Sequence, residues 1–188
     1  MNRLIFLIIL IWSATNAYSG DLVDCVYRAK QADGGRHSEL QEYKSCATRV
    51  EGKISLKDEH LKQLAFDIHG IASAFIHGKH YYIKPDGTML PVITFDNWAD
   101  DYSEGLTRSA VDGKIAYYNR AFEQIIAPTY DWGGPFKNGR ALVCKGCKVQ
   151  PPDHDGHQAV TGGLWGYIDK KGVEIIPVKF TPGEAAQM

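Results

Sequence analysis

The sequence predicts a mainly β fold with an N-terminal α segment, its β part an array of stacked β-hairpin repeats. Three observations predict it. Glycine is abundant, at 19 of 188 residues, above the usual ~7%, and glycine relieves the backbone in tight turns. After residue 66, short β-type runs are broken by glycine and proline. Those runs also recur at a nearly constant interval.

The chain has a short positive start, Asn2-Arg3, with its charge on Arg3, followed by an unbroken apolar run over residues 4–12 and the small residues Ser13, Ala14 and Ala17. A membrane-spanning helix needs ~20 apolar residues, about twice this run. Residues 1–17 therefore read as a secretory signal peptide cut after Ala17, with Ser19 or Gly20 as alternative sites. Cys25 lies too far beyond the cut to serve as a lipid-attachment site. The processed chain is expected to be soluble, without a membrane span, in the periplasm or secreted. A net charge of −1 gives no electrostatic basis for binding nucleic acid.

Residues 21–65 read as a helical, disulfide-linked segment. Leu22, Cys25, Val26 and Ala29 fit one helical face, and Leu40, Tyr43, Cys46, Ala47 and Val50 another. Gly34-Gly35 separates them, and Ser38 with Gln41 forms a capping-box pattern. Ser55 with Asp58 is a second start signal, for a helix through Leu61 and Leu64. Four cysteines in an exported chain point to disulfides. They allow three pairings, and sequence position favours Cys25–Cys46 and Cys144–Cys147.

Residues 66–180 form the repeat domain, followed by a C-terminal tail at 181–188. Gly70, Gly105 and Gly139 each follow an aromatic lead-in, at intervals of 35 and 34 residues. Tyr82, Tyr117 and Tyr167 each precede an apolar-proline run, and each stands 13 residues before an aromatic: Phe95, Tyr130 and Phe180. The third copy carries about fifteen extra residues between Lys145 and Gly162. A lone hairpin cannot bury its aromatic face, whereas stacked ones can, so the three aromatics are expected to fill equivalent junctions.

Gly163-Leu164-Trp165-Gly166-Tyr167-Ile168-Asp169-Lys170-Lys171-Gly172, followed by Ile175-Ile176-Pro177, resembles a WG repeat, a Lys-Trp-Gly type of β-hairpin repeat. Phe136 to Ala141 in sequence (Phe-Lys-Asn-Gly-Arg-Ala) matches its preceding half. The first copy has His80-Tyr81 where Trp-Gly is expected. The second has Ile115-Ala116 there, and Phe122 at the turn-glycine position. The resemblance implies a bacterial interaction module with no shared catalytic chemistry, so a binding or scaffold role, and no enzyme, is expected.

No cofactor motif stands out. Cys144-Lys145-Gly146-Cys147 follows a strand and precedes no amphipathic helix, so a structural disulfide is expected rather than a redox site. The insertion adds His154 and His157, which with Cys144 and Cys147 make a weak candidate for a zinc site. A thiol-redox or metal protein is thus the alternative function. His69, His77 and His80 read as surface or half-buried hairpin residues. Asp96, Asp100, Asp101 and Glu104 read as a solvated acidic turn. Trp98 and Trp132, in loops after the 13-residue aromatics, are the candidate binding face. The expected partner is an envelope protein, peptide or glycan.

Overall fold

A computed structural model describes residues 20–31, 39–154 and 158–188. The expected signal peptide lies outside the described residues, as do Gly34, Gly35, Ser38 and His157. The chain opens with β1 (Asp21–Arg28), β2 (Leu40–Val50), β3 (Lys53–Leu56) and the short helix α1 (Asp58–Gln63). The α segment expected over residues 21–65 is therefore largely wrong: it is a β-meander with one short helix. The reason is the period. Val23, Cys25 and Tyr27 are buried while Leu22 and Asp24 face outward, an alternation of two that the positions 22, 25, 26 and 29 mimic as a helical stripe. Only the third expected helix forms, as α1. Lys57 is its N-cap, without a side-chain cap bond, and Leu64 just beyond it is fully buried.

The first repeat holds β4 (Ala72–Ile76), β5 (Lys79–Ile83) and β6 (Met89–Val92), then a small hairpin of β7 (Thr94–Phe95) and β8 (Trp98–Ala99). The second holds β9 (Leu106–Val111), β10 (Lys114–Asn119) and β11 (Gln124–Tyr130). The third holds β12 (Trp132–Gly133), β13 (Arg140–Val149), β14 (Val160–Asp169) and β15 (Glu174–Phe180), closed by α2 (Pro182–Ala185). Sheet order is β3-β2-β1-β4-β5-β6, then β11-β10-β9, then β12-β13-β14-β15. Strand β1 pairs with β4, so the N-terminal meander extends the first repeat's sheet.

Strand register makes the repeats equivalent residue by residue. Tyr82 faces Ser73, Tyr117 faces Arg108 and Tyr167 faces Leu142. On the return strand, Tyr117 pairs with Ile126 and Ile115 with Tyr130, while Tyr167 pairs with Ile176 and Trp165 with Phe180. Both pairings contain the same register irregularity. The first repeat does not: Tyr81 pairs with Pro91 and Tyr82 with Leu90 in unbroken register. Phe95 consequently falls outside that ladder and is 54% exposed, against 3% for Tyr130. The expected equivalence of the three aromatics holds for Tyr130 and Phe180 and fails for Phe95.

One residue accounts for the difference. A Cβ on Gly166 would lie 2.5 Å from the Ile176 carbonyl oxygen and 2.7 Å from Pro177 backbone atoms. The kinked return strand thus presses against the backbone of the Trp-Gly pair, and Gly166 leaves it room. Ala116, fully buried, offers nearly as much in the second repeat. Tyr81 cannot, so there the strands pair without the irregularity.

The fifteen extra residues prolong a hairpin. Strands β13 and β14 remain paired from Arg140–Asp169 out to Val149–Val160. Near the middle of this ribbon, Gly146 and Gly163 have φ of +75° and +70°. A Cβ on Gly163 would sit 2.4 Å from the Cys147 backbone nitrogen. Residues three apart on a regular strand point to opposite faces. The left-handed turn at Gly146 brings Cys144 and Cys147 round to meet.

Candidate functional site

The repeats meet at junctions built to one plan. The Tyr82 hydroxyl donates to the Asp100 carbonyl at 2.8 Å. The Tyr117 hydroxyl donates to the Gly134 carbonyl at 2.8 Å, and the Tyr167 hydroxyl to the Ala185 carbonyl at 3.4 Å. Burial pushes the Tyr82 and Tyr117 hydroxyls well above their ordinary pKa, so both remain donors at any physiological pH. At the first two junctions an aromatic from the next repeat also packs on the tyrosine. Tyr102 lies 5.1 Å from Tyr82 and Phe136 5.1 Å from Tyr117, between ring centroids. At the third junction α2 supplies the carbonyl. Thr181 and Glu184 form a capping box that holds α2, and Ala185 is buried against Trp165, Cys144 and Cys147.

Arg108, which faces Tyr117 at the second junction, reaches back to Asp100 of the first junction in a buried ion pair. Arg108 and Asp100 are each 2% exposed. The Arg108 guanidinium binds both Asp100 carboxylate oxygens, and its third bond reaches the Gly133 carbonyl at 2.8 Å. The Arg108 backbone N–H donates to the same carboxylate at 2.9 Å. Asp100 therefore does not belong to a solvated acidic turn, which corrects that expectation. Glu104, exposed, binds the Gly139 N–H and the Lys170 ammonium, and these hold its carboxyl below the ordinary range. No sequence pattern linked Asp100 to Arg108. The signal available was the burial-prone strand around a lone arginine.

Trp98 and Trp132 are both half-buried but differently engaged. The Trp98 indole donates to Ser73 Oγ at 2.8 Å and its ring packs edge-on against His80, 4.8 Å between centroids. It belongs to the interior of the first junction. Trp132 leans on Trp165 at 5.5 Å and forms one wall of a cleft of about 400 Å3. Trp132, Pro135, Leu142 and Tyr167 give this cleft its apolar surface, and Lys137 and Arg140 stand at its rim. No Asp or Glu side chain lines it. Arg140 lies 4.5 Å above the Tyr167 ring and donates to the Met188 backbone oxygen at 3.0 Å.

A larger hollow, about 490 Å3, lies beside the first half of β1. Arg49 spans it, bridging Asp21 at 2.8 Å and His77 at 2.5 Å.

The cysteines form Cys25–Cys46 and Cys144–Cys147 disulfides. Cys25, Cys46 and Cys144 are almost wholly buried, and Cys147 is 8% exposed. Both sulfurs of the candidate zinc site are thus engaged. His154 lies on an exposed turn. Among the described residues no cluster of three or more His, Cys, Asp or Glu side chains could hold a metal ion. His80 is 5% exposed, and burial holds its pKa below the ordinary value.

The model of the WG containing repeat matches residues 116–148 and 165–181. The chain carries WG-containing repeats. Those segments span the second and third hairpins, where the kinked return strand is present; the first hairpin, which lacks it, lies outside the match. No curated protein and no solved structure matches the chain. In the WG repeats here, Trp165 packs into the last junction and Gly166 lets the return strand cross. Neither residue points to bond-making chemistry.

Proposed function

We propose that the protein is an exported, non-catalytic binding module of the cell envelope that uses the open face of its last WG repeat. The observation that carries this is the cleft at Trp132. It combines an aromatic and aliphatic wall with two cations at its rim, on a rigid ladder of strands. Concave apolar surfaces with a few polar groups are the usual form of a binding site, and exposed tryptophan is a frequent anchor. Two disulfides support an oxidising compartment. No described helix is long and apolar enough to cross a membrane. The partner is a polypeptide or glycan of the envelope.

Affinity capture from envelope extract with wild-type protein and Trp132→Ala tests this. The expected result is a set of partners retained by wild type and lost with Trp132→Ala, while Trp98→Phe retains them. Identical partners with and without Trp132 would reject the site. A thiol or metal role would instead show as reactive Cys144 and Cys147 in the oxidised protein or as bound zinc, measured by thiol titration and metal analysis.

A further inference from the structure

The cleft occupies the place where each earlier junction receives an aromatic ring. Tyr102 stands 20 residues after Tyr82, and Phe136 stands 19 after Tyr117; each packs on its tyrosine at 5.1 Å. The third repeat supplies the same tyrosine, Tyr167, but residue 187 is Gln. Helix α2 fills only part of the interface. Ala185 takes the carbonyl position and packs near Trp165. Among the described residues no aromatic ring packs on Tyr167; Arg140 covers its face instead. Leu142 replaces Arg108 at the strand position that faces the tyrosine. The guanidinium that reaches the Gly133 carbonyl in the second junction thus has no counterpart in the third.

We infer that this cleft is an unfilled inter-repeat junction that takes an aromatic side chain from a partner polypeptide, with carboxylates beside that ring. The internal junctions set the shape of the occupant: an aromatic residue just before a tight turn, as Tyr102 precedes Glu104-Gly105 and Phe136 precedes Asn138-Gly139. Charge selects the acidic form. Lys137 and Arg140 flank the opening, where no Asp or Glu side chain lines the cleft. The protein's own lead-in has this chemistry, since Asp100, Asp101 and Glu104 surround Tyr102, and Glu104 bonds to the Gly139 N–H and Lys170 of the next repeat. This inference rests on the proposed binding role and adds the ligand class.

The test is a titration of the full disulfide-bonded protein with a synthetic peptide copying residues 100–106, followed by NMR of the indole N–H signals. The expected result is saturable movement of the Trp132 signal with those of Trp98 and Trp165 nearly still. Replacing the peptide's tyrosine by alanine weakens binding about ten-fold or more. Replacing its three carboxylates by amides weakens it and removes its salt dependence. In the protein, Trp132→Ala abolishes binding and Arg140→Gln reduces it, with the Trp98 signal reporting an intact fold.

Absence of binding at millimolar peptide, or binding indifferent to the tyrosine, would overturn the inference. So would a neutral oligosaccharide moving Trp132 in place of the peptide, or self-association lost with Trp132→Ala, which would put a second copy in the cleft. Loss of captured envelope partners by Trp132→Ala without any peptide binding would leave the binding role standing and reject this ligand class.

Discussion

The junctions after the second and third repeats use the same backbone geometry and differ in what fills them. Tyr117 and Tyr167 occupy one register position, and both hydroxyls find a carbonyl from the segment that follows. After the second repeat, Phe136 and the Arg108 guanidinium, bonded to the Gly133 carbonyl, close the interface. After the third, a four-residue helix and Leu142 close only part of it, and a cleft remains. A repeat array can thus keep its register constant while the chemistry that fills each junction varies.

The largest expected effect breaks the filled junction. Arg108→Leu leaves Asp100 buried without its cation and should cost about 3–5 kcal/mol in denaturant unfolding. Asp100→Gly combined with Arg108→Leu copies the third repeat's Gly134 and Leu142, and should be less destabilised than Arg108→Leu alone. A double variant as unstable as the single one would show that the loss does not come from leaving Asp100 unpaired.

The next effect concerns the kinked strand. Gly166→Tyr copies the first repeat and puts a ring where Ile176 and Pro177 backbone atoms stand within 2.7 Å. A loss of about 3 kcal/mol, at the upper end for overpacking, is expected, with Phe180 released to solvent. Gly166→Ala copies Ala116 and should cost about 1 kcal/mol, at the lower end of that range. Equal losses would remove residue 166 as the cause of the register irregularity.

The disulfides should differ with the logarithm of the loops they close. On the chain-entropy model, losing Cys25–Cys46, 21 residues apart, costs about 3 kcal/mol. Losing Cys144–Cys147, three apart, costs about 2 kcal/mol. Thermal unfolding of Cys46→Ala and Cys147→Ala, each paired with alanine at its partner, gives the comparison.

The smallest effect is on pH. Burial of His80 favours its neutral form, so its folded pKa lies below the ordinary 6.5. Only the unfolded chain takes up this proton near pH 6.5, so stability from His80 is complete above that value and falls as pH drops below it. His80→Phe should flatten this part of the stability curve. Phe75 and Trp98 pack on this ring.

The repeat spacing, the insertion and both disulfide pairings were legible because they rest on local patterns: turn glycines, tyrosine intervals and cysteine spacing. The N-terminal meander was not. A strand whose alternate residues are Val23, Cys25 and Tyr27 also satisfies a helical stripe when Leu22, Val26 and Ala29 are apolar too. The place of Phe95 was hidden because the 13-residue interval counts residues along the chain, while strand pairing depends on whether residue 81, 116 or 166 leaves room opposite. The buried role of Asp100 was hidden among neighbouring acids, and its partner lies eight residues away on another strand. Of the two candidate tryptophans, composition marked both, but only tertiary packing separates Trp98, bonded to Ser73, from Trp132 at the cleft.

That separation can be measured directly by hydrogen exchange at the indole N–H groups. Trp98 donates to Ser73 and Trp165 to the Gly162 carbonyl, both at 2.8 Å, whereas Trp132 lines the open cleft. The expected result is rapid exchange at Trp132 and slow exchange at Trp98 and Trp165. Protection of Trp132 as strong as that of Trp98 would mean that the last junction is closed like the others, and would contradict the account.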